Sequence, residues 1–161
     1  MTQELIMKKL ESMGYRPQID KDGDIAFMYQ MRQLFIVSRN IEEDPYVLIY
    51  QPELAAIEEG EELLTFAACN DVTRDSKVIK IYVDPNMETV SSSCEFFFTD
   101  DSFDLQLSMA LKMLGVVRKV FLNRLSELKD AANGQDDDNF DNDDDDDDSG
   151  CANEEFCNDI E

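Results

Sequence analysis

A run of six consecutive aspartates near the carboxyl end, residues 143–148, constrains the fold of this 161-residue chain more than any other feature. Ordering such a run would crowd like charges and lose backbone entropy while burying almost no apolar surface. We therefore predict that residues 132–161 form a disordered, acidic, low-complexity tail. Residues 1–131 should form one folded domain, which is large enough for a single hydrophobic core.

Charge is distributed unevenly between these two parts. Of the 37 acidic residues, 14 lie in the predicted tail, whereas all 14 basic residues precede it, so the net charge of −23 divides into −9 and −14. Such a field repels nucleic acid and anionic membranes, although acidity also serves to keep proteins in solution. We expect neither nucleic acid nor a membrane as a partner.

The first residues and the cysteines indicate the compartment. Lys8 and Lys9 interrupt the first apolar stretch, which therefore lacks the core of a signal peptide. No run approaches the ~20 apolar residues of a membrane span. The four cysteines fit reduced thiols better than a disulfide framework. The sequence predicts a cytoplasmic protein.

Residue types that carry catalysis or bind metals do not form a recognisable motif. The chain has no histidine, which excludes a Cys/His metal site and removes the usual base for a cysteine nucleophile. Asp20, Asp22 and Asp24 lack the glycine and glutamate spacing of an EF-hand and predict a plain turn. No glycine-rich loop follows a strand to hold a phosphate. We predict no enzyme activity, no catalytic residues, no cofactor and no specific metal site.

Hydrophobic periodicity predicts three helices and six strands. The helices are expected at about residues 2–13, 61–72 and 101–128. Four strands, at residues 16–20, 24–30, 34–38 and 46–50, lie between the first two helices, and two more, at 78–83 and 90–98, precede the third. The order α-β-β-β-β-α-β-β-α predicts an α+β fold in which helices pack on an antiparallel sheet.

Three local features accompany this order of elements. They are a hairpin at residues 20–24, the step from Cys69 to Asn70 that closes the second helix, and an apolar strand at residues 78–84 that ends in Asp84. With these features, residues 14–128 resemble the YbjN-like bacterial domain, whose fold is similar to that of type III secretion chaperones. The resemblance implies a non-enzymatic, dimeric regulatory or chaperone-like module that binds protein, and it supplies no catalytic residues.

The third predicted helix carries two apolar stripes. At about 100° per residue, one stripe runs from Phe103 to Leu128 and the other lies roughly 130° away. One sheet cannot cover both stripes. Either the first helix or a loop packs over the second stripe, or that stripe is a homodimer or partner surface, because contiguous apolar patches often mark interfaces. The second stripe, which we call the candidate interface, consists of Leu105, Met109, Met113, Val116 and Val120.

The predicted sheet poses a similar choice. Ile25 and Phe27 on one strand and Ile79 and Ile81 on another should face the core, whereas the opposite face mixes polar and apolar residues. That face is either an ordinary exposed surface or a groove that receives an extended peptide by strand addition and side-chain pockets. The candidate peptide-binding residues on it are Met28, Tyr82 and Phe97.

Apolar residues interrupt the acids of the tail at Phe140, Phe156 and Ile160. Aromatic residues among acids are typical of segments that dock on basic, partly apolar surfaces. The tail could equally be a solubilising segment without a partner. It could also fold back on its own domain, although the −9 charge there opposes this.

We therefore expect a protein-binding regulatory or chaperone-like module that acts as a homodimer or binds a client segment. The alternative is an electrostatic mimic whose acidic tail occupies a basic, nucleic-acid-binding surface of another protein.

Overall fold

Three helices pack against one face of a six-stranded antiparallel sheet. The computed structural model describes residues 1–37, 43 and 45–134. The spatial order of strands is β1-β2-β3-β4-β6-β5. The predicted α+β class and order of elements are confirmed. The elements are α1 (Gln3–Ser12), β1 (Gln18–Ile19), β2 (Ile25–Tyr29), β3 (Arg32–Val37), β4 (Tyr46–Ala56), α2 (Glu62–Asp75), β5 (Ile79–Val83), β6 (Thr89–Phe97) and α3 (Phe103–Asn133).

Three elements extend beyond their predicted ends. Helix α2 continues through the step from Cys69 to Asn70, which was predicted to close it, and ends at Asp75. Strand β4 continues to Ala56, past an irregularity in its pairing with β6 between Gln51 and Ala55 where Glu53 has a φ of 51°. A bulge of this kind breaks the alternation of inward and outward side chains, and the predicted strand therefore ends too early, at residue 50. Helix α3 reaches Asn133, beyond the predicted domain boundary at residue 131. The first residues of the predicted tail 132–161 are therefore helical, and residues 135–161 lie outside the described residues.

The turn between β1 and β2 uses the carboxylate of Asp20. Its Oδ1 accepts hydrogen bonds from the backbone N–H groups of Asp22 and Asp24, both at 2.9 Å. Gly23 has a φ of 85°, a conformation that glycine adopts without steric penalty. Asp20 thus stabilises the turn itself. Within residues 1–37, 43 and 45–134, no group of three or more metal-ligating side chains comes together.

The core lies between the helices and one face of the sheet. The strand register aligns Phe27 with Leu34, and Ile36 with Ile49, so alternate residues of neighbouring strands point to the same side. Phe103 and Phe121 of α3 are fully buried against that side. The other α3 residues in the core are Leu107, Ala110, Leu111, Leu114, Val117 and Leu125, which belong to the first predicted stripe or adjoin it.

Strand β5 is an edge of the sheet, and a side chain from α2 covers its centre. The hydroxyl of Thr73 donates to the carbonyl oxygen of Ile81 at 3.1 Å and accepts from the Ile81 N–H at 2.9 Å. These backbone groups would otherwise be open to pairing with another strand. Thr73 therefore satisfies the hydrogen-bonding groups at the centre of this edge and blocks their pairing with another strand.

Replacing Thr73 with valine keeps the shape of the side chain but leaves both Ile81 backbone groups without their partner. We expect the free energy of unfolding in urea to fall by about 1–3 kcal/mol, which is the usual penalty for unsatisfied polar groups. The Ile81 amide should also exchange its hydrogen faster. Thr73→Ser, which retains the hydroxyl, is the control and should behave like the parent protein; equal loss in both variants would contradict the assignment.

An ion-pair cluster joins α2 to α3. Arg124 of α3 donates from Nε and Nη2 to Oδ2 of Asp71, at 2.9 and 2.7 Å, and Arg74 donates to Oδ1 of the same carboxylate at 2.9 Å. The hydrogen bond from Arg124 is the largest cause that lowers the pKa of Asp71 from its ordinary value. Asp71 is therefore favoured in its charged form in the folded protein.

Because the pKa of Asp71 is lower in the folded state, its contribution to stability is complete above the unfolded pKa of about 3.9 and is lost as the pH falls through the folded value. We expect Asp71→Asn to lower the thermal midpoint at pH 7, and the difference from the parent to shrink below about pH 4. Asp75→Asn is the comparison: the pKa of Asp75 is also lowered, by the hydrogen bond it accepts from Arg74 of the same helix, so this variant should lose less stability because no contact between helices is removed. A difference that persists at pH 2–3 would show another cause.

Candidate functional site

The candidate interface lies on the side of α3 that faces away from the sheet. Its members Leu105, Met109, Val116 and Val120 are 65%, 54%, 58% and 46% exposed, respectively. Neither α1 nor any other element among the described residues covers them. Of the two alternatives left open by the sequence, the covering of this stripe by the same domain therefore does not occur within residues 1–37, 43 and 45–134.

Met113, the fifth predicted residue, differs from the others. It is partly buried and packs against the hydrophobic core. At about 100° per residue it lies at the border between the two stripes of the helix. Met113 therefore lies between the core and the exposed residues of the candidate interface.

The position of α1 explains why it leaves the candidate interface open. Lys9 of α1 binds the carboxylate of Asp104 at 2.5 Å, and its ammonium lies 5.7 Å from the centre of the Phe103 ring. Ile6 and Leu10 are fully buried in the same core. These contacts hold α1 at the amino-terminal end of α3, on its core side.

The second predicted site is the outer face of the sheet, on the side away from the helices. Met28, Tyr82 and Phe97 are all exposed there, with Phe97 at 69%. Phe97 lies beside Tyr46, with ring centres 5.3 Å apart. The structure thus places all three predicted residues on one face, but on different strands: β2, β5 and β6.

Aromatic rings other than the predicted ones contribute to this outer sheet face. Phe35 of β3 stacks on Tyr50 of β4, with ring centres 4.9 Å apart and planes within 17°. Both side chains are partly exposed. Sequence reasoning missed this pair because it depends on the register of two strands, although the alternation of Phe35 with the buried Leu34 and Ile36 was a usable signal.

Strand addition is the less suitable way for this sheet to bind a peptide. One edge strand, β1, spans only Gln18–Ile19, and the other, β5, has its centre covered by Thr73. A peptide at β5 would have to displace that hydroxyl. The exposed face therefore favours binding through side chains over binding through an edge.

A third feature, which no pattern in the sequence predicted, is a basic pocket between α3 and the β2–β3 turn. Arg118 uses its Nε to donate to the carbonyl oxygen of Leu54 at 3.0 Å. Gly115 lets the turn approach, because a Cβ there would lie 2.9 Å from the Gln30 side chain. The pocket is open, measures about 320 Å³, and is lined by Arg32, Gly115, Arg118, Lys119, Leu122 and Asn123.

The thiols of the two cysteines in the domain are poor nucleophiles. Burial raises the pKa of both Cys69 and Cys94 to about 11, so the reactive thiolate is scarce at neutral pH. Both thiols are free and buried. Both side chains belong to the hydrophobic core.

Helices on a single face of a six-stranded antiparallel sheet define a two-layer α+β protein. The fold is similar to that of YbjN from E. coli, described as a candidate transcription regulator, with a TM-score of 0.56, 11% sequence identity and coverage of 81% of this chain and 92% of that one. An uncharacterized protein from Methanothermobacter thermautotrophicus is also similar, with a TM-score of 0.51, 13% identity and coverage of 81% and 99%. The chain therefore has a YbjN-like fold, as predicted.

No family model and no curated protein sequence matches the chain. At 11–13% identity, the two structural likenesses establish the fold and carry no function with them. Across the described ranges 1–37, 43 and 45–134, none of the helices combines the length and apolar character needed to cross a membrane.

Proposed function

We propose that this protein is a non-enzymatic, protein-binding regulatory module of the cytoplasm that acts as a homodimer through the candidate interface on α3. The exposure of Leu105, Met109, Val116 and Val120 on one side of a single helix carries the proposal. An apolar surface of this kind loses contact with water when it meets a second copy, which is the main driving force for association.

The surroundings of the stripe suit an interface with a polar rim. Asn123 and Glu127 follow the stripe along the same side of α3 and end its apolar character, and Lys112 flanks it. An apolar centre within a polar border is the usual anatomy of a specific contact. Met109 adds a flexible side chain that adapts to an opposing surface.

Replacing both Met109 and Val116 with glutamate should abolish the dimer. In a two-fold symmetric contact each substitution occurs twice, so four like charges would be brought into an apolar centre. Sedimentation equilibrium should show the mass falling from that of two chains to that of one. Circular dichroism should remain unchanged, because both residues are exposed in the single chain.

The matched control replaces Leu63 and Met87, two exposed apolar residues outside α3, with glutamate. This variant has the same net charge and should keep the mass of the dimer. A monomeric parent protein, or loss of the dimer in the control as well, would contradict the proposed interface.

The outer sheet face is the second binding surface of the proposed module. It lies on the layer opposite α3, so a client segment could occupy it while the dimer remains intact. The exposed ring of Phe97 beside Tyr46 favours a client with apolar side chains, because aromatic rings provide large contact areas.

Replacing Met28 and Phe97 with serine should remove this apolar contact area without changing the mass of the dimer. Affinity capture from cell extract, read by mass spectrometry, should then lose proteins that the parent protein retains. Leu63→Ser with Met87→Ser is the control and should retain them. The same set of captured proteins with both variants would reject the outer sheet face as the client site.

The electrostatic mimic remains the alternative proposal. It differs from the module in one respect, because its partner would be held by the tail rather than by α3 or the sheet. Salt-sensitive capture that disappears on truncation after Gly134, and that is unaffected by the Met28 and Phe97 substitutions, would favour the mimic.

A further inference from the structure

Among the described residues, the basic pocket brings together three cations of this acidic chain, Arg32, Arg118 and Lys119. Several other described cations form ion pairs: Lys8 binds Glu4 at 2.7 Å, and Lys129 binds Glu61 at 2.5 Å. In contrast, Arg32, Arg118 and Lys119 form no ion pair with any described residue. The residues that line the pocket include no carboxylate.

The charges in the pocket are close enough to oppose one another. Burial, and after it the positive charge of Arg118, lowers the pKa of Arg32 from its ordinary value. A partly buried cation beside a second cation is stabilised when an anion arrives, because opposite charges favour the charged form. The hydrogen bond from Arg118 Nε to Leu54 orients its guanidinium and leaves the terminal nitrogens for another acceptor.

The same chain contains a segment with the complementary charge. Residues 136–148 include ten aspartates and no base, and they contain Phe140 as an apolar residue. Leu122 and the methylene groups of the arginines give the pocket apolar walls next to its charges. A segment of aspartates with one aromatic ring matches both properties.

The connection between the segment and the pocket is short enough for contact within one molecule. Lys119 lies about 22 Å from Gly134 along α3, at about 1.5 Å per residue. The nine residues from 135 to 143 can span up to about 30 Å when extended. Such a tether gives an effective concentration of about millimolar, which allows weak ion pairs to be populated.

We propose that the acidic segment 136–148 of the chain binds the basic pocket of its own domain, with aspartate carboxylates on Arg118, Lys119 and Arg32. The net charge of the domain opposes this contact only at long range. At ordinary salt the screening length is about 8–10 Å, so the local cations dominate over charges elsewhere on the domain.

Paramagnetic relaxation in the full-length protein tests the proposal. A nitroxide on Cys151, with Cys157 replaced by serine, places the label just after the aspartate run. Cys69 and Cys94 are buried, and their raised pKa protects them from labelling. We expect selective broadening of the amide signals of Arg32, Gly115 and Lys119 at low salt, and its complete loss at about 1 M salt, where the screening length is about 3 Å.

Two variants assign the contact. Arg118→Glu with Lys119→Glu should abolish the broadening, whereas Lys21→Glu with Lys77→Glu, which changes the net charge equally at exposed cations elsewhere, should retain it. Replacing the six aspartates 143–148 with asparagine should also abolish it, and this change leaves the described domain untouched. Broadening that survives the first or third variant, or is lost equally in the Lys21 and Lys77 control, would overturn the proposal.

A mixed sample separates contact within one chain from contact between chains. Isotope-labelled protein without nitroxide is combined with unlabelled protein that carries it. Unbroadened signals in this mixture support the intramolecular contact, whereas broadening equal to that of the singly labelled sample would overturn it. This experiment does not depend on whether the protein is a dimer through α3, so the two proposals fail separately.

Discussion

The packing of α3 across one face of the sheet determines the rest of this structure. Phe103 and Phe121 lie fully buried in that contact, and α1 and α2 add to the same layer. Because all three helices share one face, the described residues leave two surfaces uncovered: the outer side of α3 and the outer face of the sheet. Both surfaces carry exposed apolar side chains, such as Val116 and Phe97, and both candidate sites arise from this single arrangement.

Ion pairs formed by the few cations of this acidic chain also join the helices to one another. Asp71 draws Arg124 and Arg74 together and joins α2 to α3, while Lys9 joins α1 to α3. The basic pocket differs in that it brings several cations together without a carboxylate among its lining residues. Arg118 has no carboxylate partner among the described residues, although the chain carries an excess of aspartates. The resulting local positive charge can attract an acidic part of the same molecule.

The YbjN-like fold is consistent with many activities, because a fold sets the scaffold and the sites set the function. The proposed binding module therefore depends on the exposed surfaces of this chain. The covered edge at Thr73 limits uncontrolled pairing of strands, which is compatible with the proposed binding through exposed side chains. A large apolar contact on α3 and an aromatic sheet face could then act without promoting aggregation through β5.

Local patterns in the sequence were sufficient for the order of elements and for both stripes of α3, because helical and strand periodicities are properties of neighbouring residues. These patterns could not place the end of β4, because the bulge near Glu53 interrupts the alternation. Nor could they show that Met113 packs against the core whereas Leu105 is exposed. Only the tertiary structure decided that no described element covers the outer stripe, and that Arg32 meets Arg118. These depend on contacts between residues far apart in the chain, which a periodic pattern does not encode.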